Sequence, residues 1–268
     1  MNKKRKVELV VISDVHLGTF GCHAEELLKY LSSIKPKTLV LNGDIIDIWQ
    51  FRKSYFPTAH LRVIKKILSL ATKGTKIYYI TGNHDEMLRK FSETFIGNFS
   101  IVDKIVLELD DKKAWIFHGD VFDASVQHSK WIAKLGGMGY DYLILVNRFV
   151  NWCLKKIGKE PYSFSKMIKA SVKKAVKHIS DFETTATDLA IEKKYDYVVC
   201  GHIHEPKIIQ KENKNGSTLY LNSGDWVENL TALEYNNKRW KLYEHKMNPE
   251  NEDEEKEEDL FEMEQLLS

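Results

Sequence analysis

Five short motifs along the chain combine carboxylate, imidazole and amide side chains, and each directly follows an apolar run that is typical of a buried strand. They are Asp14-Val15-His16, Gly43-Asp44-Ile45-Ile46-Asp47, Gly82-Asn83-His84-Asp85, His118-Gly119-Asp120 and Gly201-His202-Ile203-His204. Such a donor set suits Mn²⁺, Fe or Zn²⁺ better than Ca²⁺. The motifs therefore predict metal-dependent chemistry.

The number of donors points to more than one ion. Seven donors in these segments are too many for one tetrahedral ion, but they suit two ions that share a carboxylate. Two ions about 3.5–4 Å apart can hold a phosphoryl group and lower the pKa of a bound water. We therefore expect two divalent ions, Mn²⁺ before Fe or Zn²⁺, and the chemistry of phosphoryl groups.

Alternating strand and helix patterns are predicted to position these motifs. Helices are predicted at 23–34 and 58–71, and strands at 7–13, 38–42, 76–81, 105–109, 114–118, 195–200, 206–211, 217–222, 231–235 and 239–245. Ligand sites collect at the carboxyl ends of strands in an open α/β sheet. The alternation therefore predicts that the motifs converge at one edge.

The pattern changes between Phe122 and Lys193, where helical periodicity predominates. Segments are predicted at 125–135, 140–157 and 163–180, before a separate helix that leads to Tyr195. The middle segment is apolar around much of its girth, and lysines recur along the third. Two interpretations stay open: a helix packed on the sheet with a solvated lysine face, or a lid for an amphiphilic anionic ligand.

Charge is distributed unevenly along the 268 residues. Residues 248–268 contain ten acidic residues and one lysine, which predicts a disordered acidic tail. The remainder contains 39 basic and 28 acidic residues, a net charge of +11 that favours an anionic partner. Three cysteines without a pairing pattern favour a reducing cytoplasm, and no apolar run is long enough to span a membrane.

As a set, the five motifs resemble the calcineurin-like metallophosphoesterase superfamily. The resemblance implies an α/β fold, a four-layer αββα sandwich with the metals at the carboxyl ends of the strands. It also implies a phosphoesterase domain over 1–247, with a helical insertion at about 122–193 and the tail at 248–268.

The resemblance also implies residue roles. One metal would be held by Asp14, His16 and His204, the other by Asn83, His118 and His202, and Asp44 would bridge them. His84 would be the catalytic imidazole that is not a ligand. Asp47 could orient His84 and hold it protonated.

Within the superfamily, the chain is most similar to the UDP-2,3-diacylglucosamine pyrophosphohydrolase group of lipid A biosynthesis. The similarity rests on Phe122-Asp123, the helical insertion and the stretch Asn222-Ser223-Gly224-Asp225-Trp226-Val227-Glu228. It implies hydrolysis of that substrate to UMP and 2,3-diacylglucosamine 1-phosphate. The predicted substrate contacts are Asp123, Ser165, Lys166 and Lys169.

One position departs from the pattern of this group. Its best-known members carry arginine after Gly-Asn, whereas this chain has His84, which indicates a divergent branch. We expect a nucleotide-linked lipid substrate, a cytoplasmic location with peripheral contact to an anionic inner membrane face, and no nucleic acid or protein partner. The alternatives are a phosphodiesterase or pyrophosphatase with another substrate, and a metal-free scaffold.

Overall fold

The computed structural model describes residues 4–49, 55–122 and 164–246, without the side chains of 164–175. The described strands are β1 (Arg5–Ile12), β2 (Ile34–Asn42), β3 (Lys76–Ile80), β4 (Thr94–Ile96), β5 (Phe99–Val102), β6 (Lys104–Leu109), β7 (Lys112–Phe117), β8 (Tyr197–Cys200), β9 (Lys207–Asn213), β10 (Gly216–Asn222), β11 (Thr231–Asn236) and β12 (Arg239–Glu244). The described helices are α1 (Ala24–Ser33), α2 (Thr58–Thr72), α3 (Phe164–Glu192) and the 3₁₀ helices Glu86–Phe91 and Asp120–Phe122.

The strands form two mixed sheets. The first has the order β12-β11-β1-β2-β3-β5-β4, and the second has the order β6-β7-β8-β10-β9. Neighbours are parallel from β1 through β2 and β3 to β5, and from β7 through β8 to β10. The motifs follow β1, β2, β3, β7 and β8, so all five lie beyond the carboxyl ends of parallel strands.

Alternating apolar side chains give the first sheet two buried faces. Leu9 and Val11 of β1 belong to a core shared with residues of the second sheet, such as Ile116. Val10 and Ile12 belong to a separate core with residues of α1 and α2. A strand whose successive side chains point to opposite faces produces this arrangement. The predicted class of α/β fold with two stacked sheets is confirmed.

The chain divides into two compact units. The described part of the first comprises residues 4–49, 55–120 and 189–246 and includes both sheets. The second lies within 121–188, where the rings of Phe122 and Phe182 are in edge contact, 5.9 Å between centroids. The domain assignment with an insertion at about 122–193 stays a prediction.

The third helix corrects one expectation. The sequence suggested a helix ending near Ser180 and a separate one leading to Tyr195, but α3 runs unbroken from Phe164 to Glu192. The polar stretch after Ser180 contains no glycine or proline, and its threonines bond back along the helix. Thr184 Oγ1, for example, donates to the Ser180 carbonyl at 2.8 Å.

Two short strands were not predicted, and three predicted segments cannot be compared with the structure. Strands β4 and β5 were not predicted, because their short apolar runs lack a clear period. The segments predicted at 125–135 and 140–157 and the acidic tail lie outside the described residues. Within the described part of the chain, no helix combines the length and apolar character that a membrane span requires.

Candidate metal centre

The loops after β1 and β2 are joined through their backbones. Asp14 N donates to the Gly43 carbonyl at 3.1 Å, and His16 N donates to the Asp44 carbonyl at 3.0 Å. Because β1 and β2 are parallel neighbours in register, their loops emerge side by side. The first two motifs are thus held together before any side chain contributes.

Two carboxylates connect these loops to the other motifs. Asp14 Oδ2 accepts a hydrogen bond from His202 N at 2.9 Å, and Asp44 Oδ1 accepts one from His84 N at 2.8 Å. Both residues are fully buried. Within the described residues, their second oxygens, Asp14 Oδ1 and Asp44 Oδ2, have no hydrogen-bond partner. Each carboxylate therefore has one anchored oxygen and one that is available to a cation.

Histidines surround the available oxygens. Potential ligand atoms of Asp14, His16 and His204 lie within 4.8 Å of one another, and so do those of Asp44, His118 and His202. Asp14 Oδ1 is 3.2 Å from His204 Nε2, and Asp44 Oδ2 is 3.3 Å from His118 Nε2. The structure thus contains two groups of three donors around these oxygens, and His16, Asp47 and His84 form a third group of the same kind.

The tautomer of His118 is determined by a backbone contact. Its Nδ1 lies 2.8 Å from the Asn42 carbonyl, which can only accept, so Nδ1 donates and Nε2 faces Asp44. Burial alone would lower the pKa of His118, but the carboxylates of Asp44 and Asp14 raise it to about 10. A ring held through Nδ1 in this way presents Nε2 to a metal ion, which would displace the proton on that nitrogen.

The charge of the site suits divalent cations. Burial by itself would raise the pKa of Asp14, but the nearby His204 and His118 hold it well below its usual value. The pKa of Asp44 is likewise held well below its usual value against burial, by His118 and His16. Both carboxylates are therefore ionised at neutral pH. Buried anionic oxygens and imidazole nitrogens, some without hydrogen-bond partners among the described residues, form a donor set that fits such ions.

Asp47 lies between a predicted ligand and the predicted catalytic imidazole. Its Oδ2 is 3.1 Å from His16 Nδ1 and 2.9 Å from His84 Nδ1. The rings of His16 and His84 are in edge contact, with centroids 4.7 Å apart. The exposed Trp49 ring lies 5.3 Å from that of His84. A carboxylate at Nδ1 can fix the ring orientation of each histidine.

The backbone of the centre is strained. Five of the predicted ligands have left-handed φ angles: Asp14 (51°), His16 (54°), Asp44 (52°), His202 (69°) and His204 (54°). Each such residue other than glycine costs about 1–2 kcal/mol. Strain of this kind persists only where the surrounding structure enforces it, and it clusters at functional sites.

Two motif glycines provide space for ligands. A Cβ on Gly43, whose φ is +83°, would lie 2.3 Å from His118 Nδ1. A Cβ on Gly82 would lie 2.3 Å from Asp44 Oδ1. Real Cβ atoms do not approach other atoms this closely, so these positions require glycine.

Two buried aspartates support the ligand loops without having been assigned a role from sequence. Asp85 accepts hydrogen bonds from Gly82 N at 2.6 Å, Ile45 N at 3.0 Å and Tyr79 Oη at 2.6 Å. Asp225 Oδ2 lies 3.7 Å from His204 Nδ1. Their motifs marked both positions in the sequence, but only the folded structure identifies what they contact.

Most predicted site residues lie together. Side chains of the six predicted aspartate and histidine ligands, together with His84 and Asp47, form the groups described above. Asn83 is half-buried between Gly82 and His84, both of which approach Asp44. The predicted substrate contacts, Asp123 and the side chains of Ser165, Lys166 and Lys169, lie outside the described part. The roles of all these residues stay predictions.

Comparisons with known proteins agree with this chemistry. The calcineurin-like phosphoesterase family matches residues 7–206. A UDP-2,3-diacylglucosamine hydrolase of Blochmanniella pennsylvanica (strain BPEN) is 27% identical over 240 residues, 87% of this chain and 93% of that protein. A protein of the same name from Aliivibrio fischeri (strain MJ11) is 24% identical over 244 residues, 88% and 97% of the two chains.

A solved archaeal phosphodiesterase is 17% identical, with a TM-score of 0.42 over 88% of this chain and 98% of that one, a similarity too low to add to the assignment. The family match confirms the resemblance, the αββα class and a hydrolase of phosphoric ester or anhydride bonds. It also implies divalent metal ions, which agrees with the donor groups. The motifs, the two sheets and the match over 7–206 together mean that this chain belongs to the calcineurin-like phosphoesterase family.

Proposed function

We propose that the protein hydrolyses the pyrophosphate of UDP-2,3-diacylglucosamine to UMP and 2,3-diacylglucosamine 1-phosphate, with two divalent ions as cofactor. The substrate is suggested by the names of relatives that align over most of both chains. Manganese is our first expectation for the ions, with iron or zinc as alternatives.

One observation carries the proposal of a two-ion site. In the described part of the chain, the buried ligand-type atoms without a hydrogen-bond partner include Asp14 Oδ1, His16 Nε2, Asp44 Oδ2 and His118 Nε2. A buried polar atom without a partner is unfavourable unless something else satisfies it. Asp14 and His16 would hold one ion with His204, while His118 would hold the other with His202 and Asn83. Asp44 would contact both.

When bound, the ions would supply Lewis-acid stabilisation of the phosphoryl group and an activated water. The protein's own contribution centres on His84. Because its Nδ1 lies 2.9 Å from Asp47, its Nε2 is the atom that can donate a proton to the leaving oxygen or stabilise developing charge. Asp47 would keep the imidazole oriented.

The substrate contacts follow from the same proposal. Asp123, Ser165, Lys166 and Lys169 would contact the phosphates and sugar, and the apolar part of the insertion would accept acyl chains. A cytoplasmic enzyme with peripheral contact to an anionic membrane would meet a lipid substrate of this kind. These assignments rest on sequence alone.

The proposal is tested by incubating the protein with UDP-2,3-diacylglucosamine and Mn²⁺ and identifying products by mass spectrometry. We expect UMP release from the native protein and a loss of at least about 10²-fold in the Asp44→Asn variant, because it removes an ionic ligand. Asp196→Asn is the matched control, since Asp196 lies just before the start of β8, at the opposite end from the motif. Absence of UMP, with an aryl phosphodiester still cleaved, would reject the substrate and retain the hydrolase.

A further inference from the structure

An arginine outside the motifs lies beside the metal centre. Arg89 belongs to the 3₁₀ helix Glu86–Phe91, which follows the third motif. Its Nη2 donates to Asp120 Oδ2, and its Nε donates to Thr81 Oγ1 at 3.3 Å. Thr81 is two residues before Asn83, and Asp120 is two residues after His118. The guanidinium therefore contacts the two segments that carry Asn83 and His118.

The guanidinium is held in position by two hydrogen bonds, but not all of its nitrogens have a hydrogen-bond partner in the described part of the chain. Of its three nitrogens, Nε and Nη2 are bonded, whereas Nη1 has no partner among the residues that the structure describes. The Arg89 side chain is 36% exposed. An arginine fork is always charged and matches the geometry of a phosphate group. Arg89 thus combines a fixed position near the reacting centre with an open, solvent-accessible donor edge.

A pyrophosphate contains two phosphoryl groups, and the ions would hold the one that is attacked. The second phosphate carries its own negative charge and requires a cation beside the centre. We propose that Arg89 binds this second phosphoryl group and so gives the site its preference for pyrophosphates over simple diesters. This inference rests on the proposed function, since it presupposes a pyrophosphate substrate at the two-ion site.

The competing interpretation is that Arg89 and Asp120 form only a structural ion pair. An ion pair with a partly exposed member contributes little to stability. A purely structural pair would therefore affect all ligands of the site equally. A phosphate-binding arginine would instead distinguish ligands with two phosphoryl groups from ligands with one.

Equilibrium binding separates the two interpretations without turnover. Calorimetry on the Mn²⁺-loaded protein would measure Kd for methylenediphosphonate, a non-hydrolysable mimic of pyrophosphate, and for methylphosphonate. We expect Arg89→Ala to raise the Kd of methylenediphosphonate by about 10- to 100-fold more than the Kd of methylphosphonate, because a charge-assisted hydrogen bond to the second phosphonate is lost. Lys90→Ala is the control, since it removes the adjacent exposed cation, and it should leave the ratio of the two Kd values unchanged.

Kinetics provide the second readout. With UDP-2,3-diacylglucosamine, Arg89→Ala should raise KM by about 10- to 100-fold, with a smaller effect on kcat. Asp120→Asn should keep the preference for methylenediphosphonate, because it removes the competing carboxylate and leaves the arginine. If Arg89→Ala leaves the ratio of the two Kd values unchanged, the inference is wrong.

The two proposals fail in different ways. If the native protein releases no UMP but Arg89→Ala still loses its preference for methylenediphosphonate, Arg89 recognises a second phosphoryl group of some other substrate. In that case the lipid substrate is rejected and the role of Arg89 stands. If UMP is released and the preference does not depend on Arg89, the substrate stands and the role of Arg89 is rejected.

Discussion

At the scale of single residues, Asp47 contacts two histidines that have different predicted roles. One oxygen of Asp47 lies close to Nδ1 of both His16 and His84, which leaves Nε2 of each ring available for another contact. The Nε2 of His16 is buried and has no partner in the described part of the chain. We therefore propose His16 as a ligand and His84 as a proton donor.

This difference predicts the behaviour of His84→Ala. The variant should bind both ions as the native protein does, because no ligand is removed, yet kcat should fall by about 10²–10⁴-fold through loss of general acid catalysis. Inductively coupled plasma mass spectrometry measures the bound metal, and steady-state kinetics on the same preparation measure kcat. Loss of bound metal in this variant would show that His84 is itself a ligand.

The sequence identified the side chains that lie together at the candidate centre better than the residues that support them. Asp14 and His16 could be recognised because a period of two after an apolar run places donors together. Asp85 and Asp225 also contact groups that are distant in sequence, Ile45 N and His204 Nδ1, which only the fold brings near. Nothing in the spacing of such residues indicates which distant atoms they contact.

At the scale of elements, the loops after the strands determine the geometry of the centre. Gly43 adopts a left-handed φ of +83°, and its missing side chain leaves room for His118. Gly74, in the turn after α2, has a similar φ of +94°, but a Cβ added there would have nothing within 4 Å. The two glycines thus share a conformation and differ in their surroundings.

This pair allows steric and conformational effects to be separated. Gly74→Ala should cost only the left-handed strain, about 1–2 kcal/mol, and leave metal binding unchanged. Gly43→Ala adds a clash with His118 and should also weaken metal binding by at least about tenfold. Chemical denaturation and metal titration of both variants measure the two effects. Equal metal affinity in the two variants would contradict the steric role of Gly43.

Elements were predicted well where their apolar period was regular and poorly where it was not. Helices α1 and α2 lie within a residue or two of their predicted limits. The short strands β4 and β5 were missed because β5 is stabilised by pairing with β3, which a local pattern cannot reveal. The predicted break near Ser180 was wrong because threonine hydroxyls satisfied neighbouring carbonyls within α3.

At the scale of the whole molecule, a buried carboxylate connects three elements of the first unit. Glu234 of β11 accepts hydrogen bonds from both terminal nitrogens of Arg5 in β1, at 2.9 and 2.8 Å. It also accepts one from Tyr30 Oη of α1 at 2.9 Å. Burial alone would raise the pKa of Glu234, but these donors lower it below its usual value of 4.5. The glutamate therefore helps to fix α1 on the sheet.

This network predicts a pH-dependent contribution to stability. Because the pKa of Glu234 is lower in the folded state, its contribution is complete above about 4.5 and is lost as the pH falls further. Glu234→Gln should lower the free energy of unfolding by about 1–2 kcal/mol at neutral pH, with the exposed Arg5 contributing little. Urea denaturation should show the difference between native protein and variant shrinking in acid. A difference that grows in acid would contradict this account.

The left-handed backbone at five predicted ligands affects which residues would replace them if descendants of this protein lost metal binding. As long as the ions bind, selection retains aspartate and histidine there despite the strain. Once binding is no longer selected, the strain has no compensating benefit, and glycine or asparagine becomes the more favourable residue. Descendants that have abandoned catalysis should therefore carry glycine or asparagine at these positions and retain the apolar strands before them.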